Sequence, residues 1–184
     1  MGRLNRSRLI TVVVGIALVA GVGTAVVGAA GPADEGVNLG GVRSATDAFH
    51  NLDVAMAAGY EKFYICTDRE GTGGMGQHYV KGALVEDPGL DILRPEVLVY
   101  ELRAGGGLRL AAVEYVVLKD AWHATHAAPP RLFGRALTLV PDGNRYGLPA
   151  FYEIHVWLWT QNPRGLFNDW NPRVSCRGHG DPAI

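Results

Sequence analysis

Two histidines and one glutamate are the side chains in this sequence best suited to hold a metal ion or to transfer a proton. Glu114 is the one polar residue on an otherwise apolar alternation over residues 108–118. Because an unpaired buried carboxylate is very costly, Glu114 is expected to be paired, protonated or bound to a metal. His155 lies in a strand-like run of aromatic residues, and His78 follows a glycine-rich run at residues 73–76. Imidazole and carboxylate groups bind first-row metals, so these three residues predict a site for a divalent transition metal.

Each of these residues also has a purely structural interpretation. Glu114 could form an ion pair with an arginine or a hydrogen bond to a tyrosine, and His155 could be a core histidine whose hydrogen bonds are satisfied. His78 could be an exposed residue beside a turn. Glu101 lies on another expected strand and is a further candidate ligand, although it could simply face solvent. The sequence contains no H-x-H or H-E-x-x-H motif that would place two ligands on one element.

Period-two patterns predict the strands that must position these side chains. A helix is expected before them, because apolar residues recur at helical spacing over residues 45–58, with Ser44 as the N-cap. The sequence Ala-Gly-Gly-Gly at residues 104–107 predicts a hairpin between two of the strands. The expected strands cover residues 61–66, 77–81, 96–103, 108–119, 136–140 and 151–160.

This order of elements predicts an α+β domain. One N-terminal amphipathic helix is followed by a mostly antiparallel sheet, which could close into a barrel. Residues 31–43 are rich in glycine and read as a flexible leader, residues 44–176 as a single globular domain, and residues 177–184 as a loose tail. The chain after residue 30 has the length of one ordinary domain with a real core.

The first 30 residues predict export from the cytoplasm. Three arginines and no acidic residue precede an uncharged apolar run at residues 9–30, which ends in small residues. A basic start, an apolar middle and a small-residue end are the three parts of a secretory signal peptide. About 20 apolar residues can also span a bilayer, so an uncleaved N-terminal anchor is the alternative. In both cases the rest of the chain is expected outside the cytoplasm, either secreted or tethered to the membrane.

Charge and cysteine content restrict the partners of the exported part. All 18 acidic residues lie after residue 30, whereas three of the 17 basic residues lie before it, so the exported part is net negative. This balance argues against nucleic acid or an anionic membrane surface as a partner, and leaves membrane contact to the N-terminal anchor alone. The two cysteines, Cys66 and Cys176, are both in the exported part, where an even pair predicts a disulfide.

Several segments together resemble a family of uncharacterised secreted bacterial proteins. They extend from about residue 45 to residue 176 and comprise GMGQHY (74–79), RPEVLVYE (94–101), VEYVV (113–117), HVWLW (155–159) and FNDWNPRVSC (167–176). This resemblance implies an exported domain and no particular activity. The glycine-rich entry to His78 and the order of His155 and Asn162 are also similar to metal-binding cupin barrels, although the paired H-x-H of those proteins is absent.

The sequence therefore leads us to expect a protein that binds a small ligand or a metal ion at His78, Glu114 and His155. A metal-dependent enzyme that uses the same residues is the first alternative. A cell-envelope interaction protein or carbohydrate-binding protein, with exposed C-terminal tryptophans stacked on sugars, is the second. The aromatic residues expected to contact a ligand are Tyr79, Tyr115, Trp157 and Trp159.

Overall fold

One curled antiparallel sheet is the framework of residues 38–177, the part of the chain that the computed structural model describes. Its strands are β1 (Glu61–Arg69), β2 (Gly73–Val80), β3 (Val97–Leu102), β4 (Leu108–Leu118), β7 (Thr138–Val140) and β8 (Phe151–Val156), and a separate hairpin is formed by β5 (Arg131–Leu132) and β6 (Arg135–Ala136). The six strands pair in the order β1-β2-β3-β4-β8-β7 and form a half-barrel. The predicted α+β class is confirmed.

Three short helical segments replace the single helix predicted over residues 45–58. They are α1 (Leu39–Thr46), a 3₁₀-helix (Asp47–His50) and α2 (Leu52–Ala57), and two more short helices follow β2 and β4, namely α3 (Gly82–Val85) and α4 (Lys119–His123). Ser44, the expected N-cap, lies inside α1, which is capped by Asn38. Asn51 has an extended backbone, and its side chain accepts a hydrogen bond from the amide of Asp53 at 3.0 Å. This second asparagine cap ends the continuity that apolar spacing alone had suggested.

The packed part of the domain begins before residue 44. Val42 is fully buried and belongs to the core beneath the helices, although composition had assigned residues 31–43 to a flexible leader. The predicted signal peptide or anchor at residues 1–30 and residues 178–184 of the expected tail lie outside the described residues. Within the described range, no helix has both the length and the apolar character needed to cross a membrane.

The sheet has two buried faces. The first, which we call the helix face, packs against α1 and α2 through a core that is rich in tyrosine. Tyrosine hydroxyls in this core donate hydrogen bonds of 2.6–2.7 Å to backbone carbonyl groups, so their polar ends are satisfied. The second, which we call the site face, carries a smaller apolar cluster that includes Val97, Val99, Val116, Phe151 and Trp157.

A β-bulge at Ala111 decides which face of the sheet Glu114 occupies. Ala111 is an extra residue in β4, because Leu110 and Ala112 lie opposite consecutive residues of β3. Leu110 consequently packs on the helix face, whereas Ala112 packs on the site face. The uninterrupted alternation expected over residues 108–118 is therefore broken, and Glu114 follows the register of the part after the bulge.

Strand β1, at one edge of the sheet, is also irregular. The four-residue step from Phe63 to Thr67 in β1 lies opposite a two-residue step in β2, so β1 bulges outward by two residues. Tyr64 in this bulge has a φ of 56°, a left-handed backbone conformation that is uncommon for a side chain of this size. The side-chain amide of Gln77 donates hydrogen bonds to the carbonyls of Phe63 and Tyr64, at 3.2 and 3.1 Å, and fixes the bulge.

Glycines in β2 let the C-terminal segment lie directly on the strand. They were expected to introduce His78 at the start of a strand, but they lie within β2 itself. A Cβ atom on Gly73 or Gly74 would meet the backbone of Asn171 or Val174. Gly74 and Asn171 exchange backbone hydrogen bonds of 3.1 and 3.0 Å. The glycines at the start of β2 therefore allow close backbone contact, and residues 171–174 cover the sheet at that point.

A disulfide between Cys66 and Cys176 fastens the same segment to β1, as predicted. The two Cα atoms are 5.6 Å apart. The carboxylate of Asp68 accepts hydrogen bonds from the amide of Cys176 at 2.8 Å and from the hydroxyl of Ser175 at 2.9 Å. A structural disulfide of this kind is typical of an oxidising compartment outside the cytoplasm.

Candidate metal centre

Strands β2, β4 and β8 bring His78, Glu114 and His155 together on the site face. Glu114 and His155 are directly opposite each other in the β4–β8 pair, and His78 reaches them across β3. The Nε2 atom of His78 lies 3.2 Å from Nε2 of His155 and 3.4 Å from Oε2 of Glu114. All three residues predicted from the sequence are thus in one group, which we call the His–Glu–His cluster.

The spacing within the His–Glu–His cluster fits a single small metal ion. Each residue offers one ligand atom, and the three atoms lie within 4.8 Å of one another. Two ligand atoms bound tetrahedrally at about 2.0–2.1 Å from a zinc ion are roughly 3.3 Å apart, which is close to the separations measured at His78. The buried cluster could therefore hold a metal ion with three protein ligands and one open coordination position.

Two carboxyl groups face the second ring nitrogen of His155. His155 is fully buried, and its Nδ1 atom has no hydrogen-bond partner among the described residues. Oε1 of Glu114 and Oδ1 of Asp169 lie 3.6 and 3.7 Å from this atom. Metal-bound histidines commonly donate their remaining N–H to a carboxylate, which fixes the ring and strengthens the ligand. Asp169 would have to move several tenths of an ångström closer than 3.7 Å to accept this hydrogen bond when Nε2 binds the metal.

Asparagine side chains hold the segment that carries Asp169. Oδ1 of Asn162 and Oδ1 of Asn171 each accept a hydrogen bond from the amide two residues further on, at 3.0 and 2.9 Å. Their side-chain NH₂ groups donate to backbone carbonyls of the same segment. The two Asn-Pro-Arg sequences, at residues 162–164 and 171–173, are therefore two similar turns.

Glu153 is a second buried carboxyl group at the site, and the sequence analysis gave it no role. It lies two residues before His155 on β8, opposite Val116, and so points to the same face. Its carboxyl group is close enough to that of Glu114 to raise the pKa of Glu114, so the protonation of the two groups is linked. The sequence did hold a signal for it, namely the period-two spacing from His155.

Burial shifts the pKa of each titratable group in the cluster toward its neutral form. It lowers the pKa of His78 to about 3, with a smaller contribution from His155, whose own pKa burial also lowers to about 3. Burial and then the neighbouring Glu153 raise the pKa of Glu114 well above its ordinary value, and burial raises the pKa of Glu153 to about 7. At neutral pH the imidazoles are therefore uncharged and able to bind a metal, while the metal-free Glu114–Glu153 pair retains a proton.

A cavity of about 390 Å³ opens beside the cluster. Its inner end carries the buried side chains of His78, Glu114 and Glu153, whereas exposed residues such as Lys62 and Glu86 line its mouth. His78 and Glu114 line this cavity and His155 does not, so a molecule in the cavity could reach a metal ion held by the cluster. The walls are apolar and include Val80, Val97, Val116, Leu148 and Phe151.

Glu101, the further candidate ligand, belongs to a different group of residues. Its carboxylate forms an ion pair with Arg109 and accepts a hydrogen bond from the hydroxyl of Thr160 at 2.8 Å. It is not among the residues whose ligand atoms converge in the His–Glu–His cluster. Its position opposite Arg109, near the hairpin end of β3, gives it a structural partner instead.

The four aromatic residues expected to contact a ligand do not line the cavity. Tyr79 and Tyr115 pack on the helix face, and Trp159 is partly buried against the same core. Trp157 is buried on the site face and stacks on His155, with ring centroids 6.2 Å apart. The aromatic side chains that do line the cavity are Phe63, Tyr146 and Phe151.

No known relative identifies this site. Compared with protein families, with curated proteins and with solved structures, the chain matches none of them. Its function is therefore inferred from the residues and distances described above.

Proposed function

We propose that this protein is an exported metal-binding domain, which holds one divalent transition metal ion such as Zn²⁺ in the His–Glu–His cluster. The spacing of 3.2 and 3.4 Å around Nε2 of His78 carries this proposal, because it is the spacing that ligands of one ion adopt. Two imidazoles and one carboxylate are also a donor set found in zinc sites that keep a coordination position open.

Direct ion pairs and hydrogen bonds between the three side chains explain the cluster less well than a bound metal ion does. Both histidines are neutral at pH 7, since burial lowers their pKa values to about 3, so neither forms an ion pair with Glu114. Two neutral Nε2 atoms at 3.2 Å permit at most one hydrogen bond between them. A metal ion would use both lone pairs and leave the Nδ1–H of His155 directed at Asp169.

A location outside the cytoplasm is part of the proposal. The Cys66–Cys176 disulfide is typical of oxidising compartments. The basic, apolar and small-residue pattern of residues 1–30 predicts export, and the resemblance to secreted bacterial proteins agrees with it. Either secretion or tethering at the N-terminus fits these observations.

Addition of Zn²⁺ to the metal-free protein is expected to raise its thermal midpoint. Binding at 100 times the dissociation constant should stabilise the fold by about 2.7 kcal/mol. Binding should also release a proton, because the Glu114–Glu153 pair retains one at neutral pH. Calorimetric titration in buffers of different ionisation enthalpy measures both the affinity and the proton release.

The exposed His126, which is not part of the His–Glu–His cluster, provides the control for this experiment. His126→Ala should bind Zn²⁺ like the wild type, whereas His78→Ala should not. Equal metal content in the wild type and His78→Ala, after purification and after titration, would reject the metal site.

A metal-dependent hydrolase is the second candidate function. The observation that favours it is the position of Glu153, a non-ligand carboxyl group that lines the cavity beside Glu114. Metal-bound water is a nucleophile at neutral pH, and a carboxyl group beside it can exchange protons with it. Zinc-loaded protein that hydrolyses 4-nitrophenyl acetate no faster than free Zn²⁺ would give this candidate no support.

Carbohydrate binding through the C-terminal tryptophans has little support. Trp157 and Trp170 are buried, so their ring faces are not free to stack on a sugar. Trp170 is instead covered by the guanidinium groups of Arg69 and Arg145, at 4.6 and 5.5 Å from the ring centroid.

A further inference from the structure

The cavity beside the His–Glu–His cluster has the size and the polarity distribution of a ligand site. Its volume of about 390 Å³ is within the range of roughly 300–1,000 Å³ that such sites occupy. Polar groups lie at its two ends, with His78, Glu114 and Glu153 at the buried inner end and exposed charged residues at the mouth, and apolar side chains form the walls between them. A molecule that fills it must therefore be apolar along its length and polar at one end.

The inner end favours an uncharged polar group over an anion. Glu114 and Glu153 both line it, and Asp169 lies behind His155. Lys62 is the one basic side chain among the described residues that line the cavity, and it is exposed at the mouth. Arg145 is held over the rings of Tyr146 and Trp170 rather than in the cavity. An anionic ligand would thus meet carboxyl groups, offset only by the metal ion and, from outside the cavity, by the guanidinium of Arg145, which also acts on His78 and Glu153.

A neutral oxygen atom at the inner end can interact favourably with both the metal ion and Glu153. It can bind the metal ion at the open coordination position and exchange a hydrogen bond with Glu153. The apolar body would then contact Val116 and Phe151 on the sheet and Leu148 on the loop before β8. Removal of such surface from water provides the remainder of the affinity.

We infer that the cavity binds a small, mainly apolar alcohol or carbonyl compound whose oxygen coordinates the metal ion in the His–Glu–His cluster. This inference rests on the proposed metal site and specifies what that site recognises.

Cobalt-loaded protein titrated with three probes of one shape tests the inference. Benzyl alcohol carries the neutral oxygen, toluene lacks it, and benzoate replaces it by an anion. Because the absorption spectrum of Co²⁺ depends on its ligands, benzyl alcohol should change it. Benzyl alcohol should also bind at least about 10-fold more tightly than either of the other probes, the effect of roughly one added polar interaction. Tightest binding by benzoate or by toluene would overturn the inferred ligand class.

Two variants on the apolar surface locate the binding. Leu148→Trp replaces no metal ligand. It should occupy the cavity between the apolar walls and abolish the effect of benzyl alcohol, while Co²⁺ binding persists. Leu139→Trp places the same side chain at an exposed position on β7, outside the cavity, and should change neither. Leu148→Phe, a smaller replacement, serves if the tryptophan variant does not fold. Benzyl alcohol binding that survives in a folded cavity variant would overturn the location.

The outcomes for metal and for ligand are separable. Protein that binds Co²⁺ but none of the probes overturns this inference and leaves the proposed metal-binding function standing. Protein that fails to bind Co²⁺ overturns both.

Discussion

Glu114→Gln is expected to stabilise the metal-free fold while it abolishes metal binding. The glutamine keeps the shape of the side chain but cannot supply an anionic ligand, so the affinity for Zn²⁺ should fall by more than about 100-fold. Burial and Glu153 raise the pKa of Glu114, which means that its ionisation lowers the stability of the metal-free protein as the pH rises above the ordinary glutamate pKa. The variant should therefore be more stable than the wild type at pH 8, where the wild-type carboxyl group is driven to ionise, and similar to it at pH 5.

Urea denaturation without metal, at both pH values, together with Zn²⁺ titration, measures the two effects. Glu101→Gln is the matched control, since it removes a buried carboxylate that pairs with Arg109 outside the cluster. That control should lose stability and keep the wild-type metal affinity. A Glu114→Gln protein that binds Zn²⁺ normally would show that Glu114 is not a ligand, and one that is destabilised at pH 8 would contradict the raised pKa of Glu114.

Removal of the disulfide by Cys66→Ser with Cys176→Ser should lower the free energy of unfolding by about 2–5 kcal/mol. The bond closes a loop between residues 110 positions apart, so it restricts the unfolded chain strongly. It also fastens the segment that carries Asp169 to β1. The Zn²⁺ affinity should consequently fall as well, by about 10- to 100-fold, because the carboxylate behind His155 is less firmly held.

Guanidinium denaturation and Zn²⁺ titration of the double variant test this expectation, and wild type treated with a reductant should behave like the variant. Ser175→Ala provides a comparison in which the hydrogen bond to Asp68 is lost and the disulfide is kept. Unchanged stability in the double variant would mean that the Asp68 hydrogen bonds and the Gly74–Asn171 contact suffice to hold the segment.

Local alternation made much of the sheet and the three residues of the His–Glu–His cluster predictable. Glu114 was recognisable because it interrupts an apolar face, and a buried carboxylate needs a partner wherever the strand lies. Six expected strands correspond to six observed ones, with ends that differ by a few residues. The positions of the strands and the apolar surroundings of Glu114 both depend on residues that are close together along the chain, which a sequence displays directly.

Contacts between distant segments could not be predicted in the same way. Asp169 reaches His155 only because asparagine turns and a disulfide fold residues 160–176 back over the sheet. The bulge at Ala111 and the cavity depend on the register of paired strands, which alternation alone does not specify. Alternation does not say which face of the sheet lies toward the cavity. Tyr79 and Tyr115, which were expected to contact a ligand, therefore pack on the helix face instead.

The bulge in β1 has a consequence for how copies of this protein behave toward one another. A half-barrel leaves an open edge at β1 and another at β7, and a regular open edge is a template for a strand of a second molecule. In β1 the carbonyls of Phe63 and Tyr64 are directed to the side chain of Gln77, and β7 offers only the three residues Thr138–Val140. Neither edge presents the long, flat row of hydrogen-bonding groups on which aggregation by strand addition depends, so the sheet can stay open without pairing with a second copy at high protein concentration.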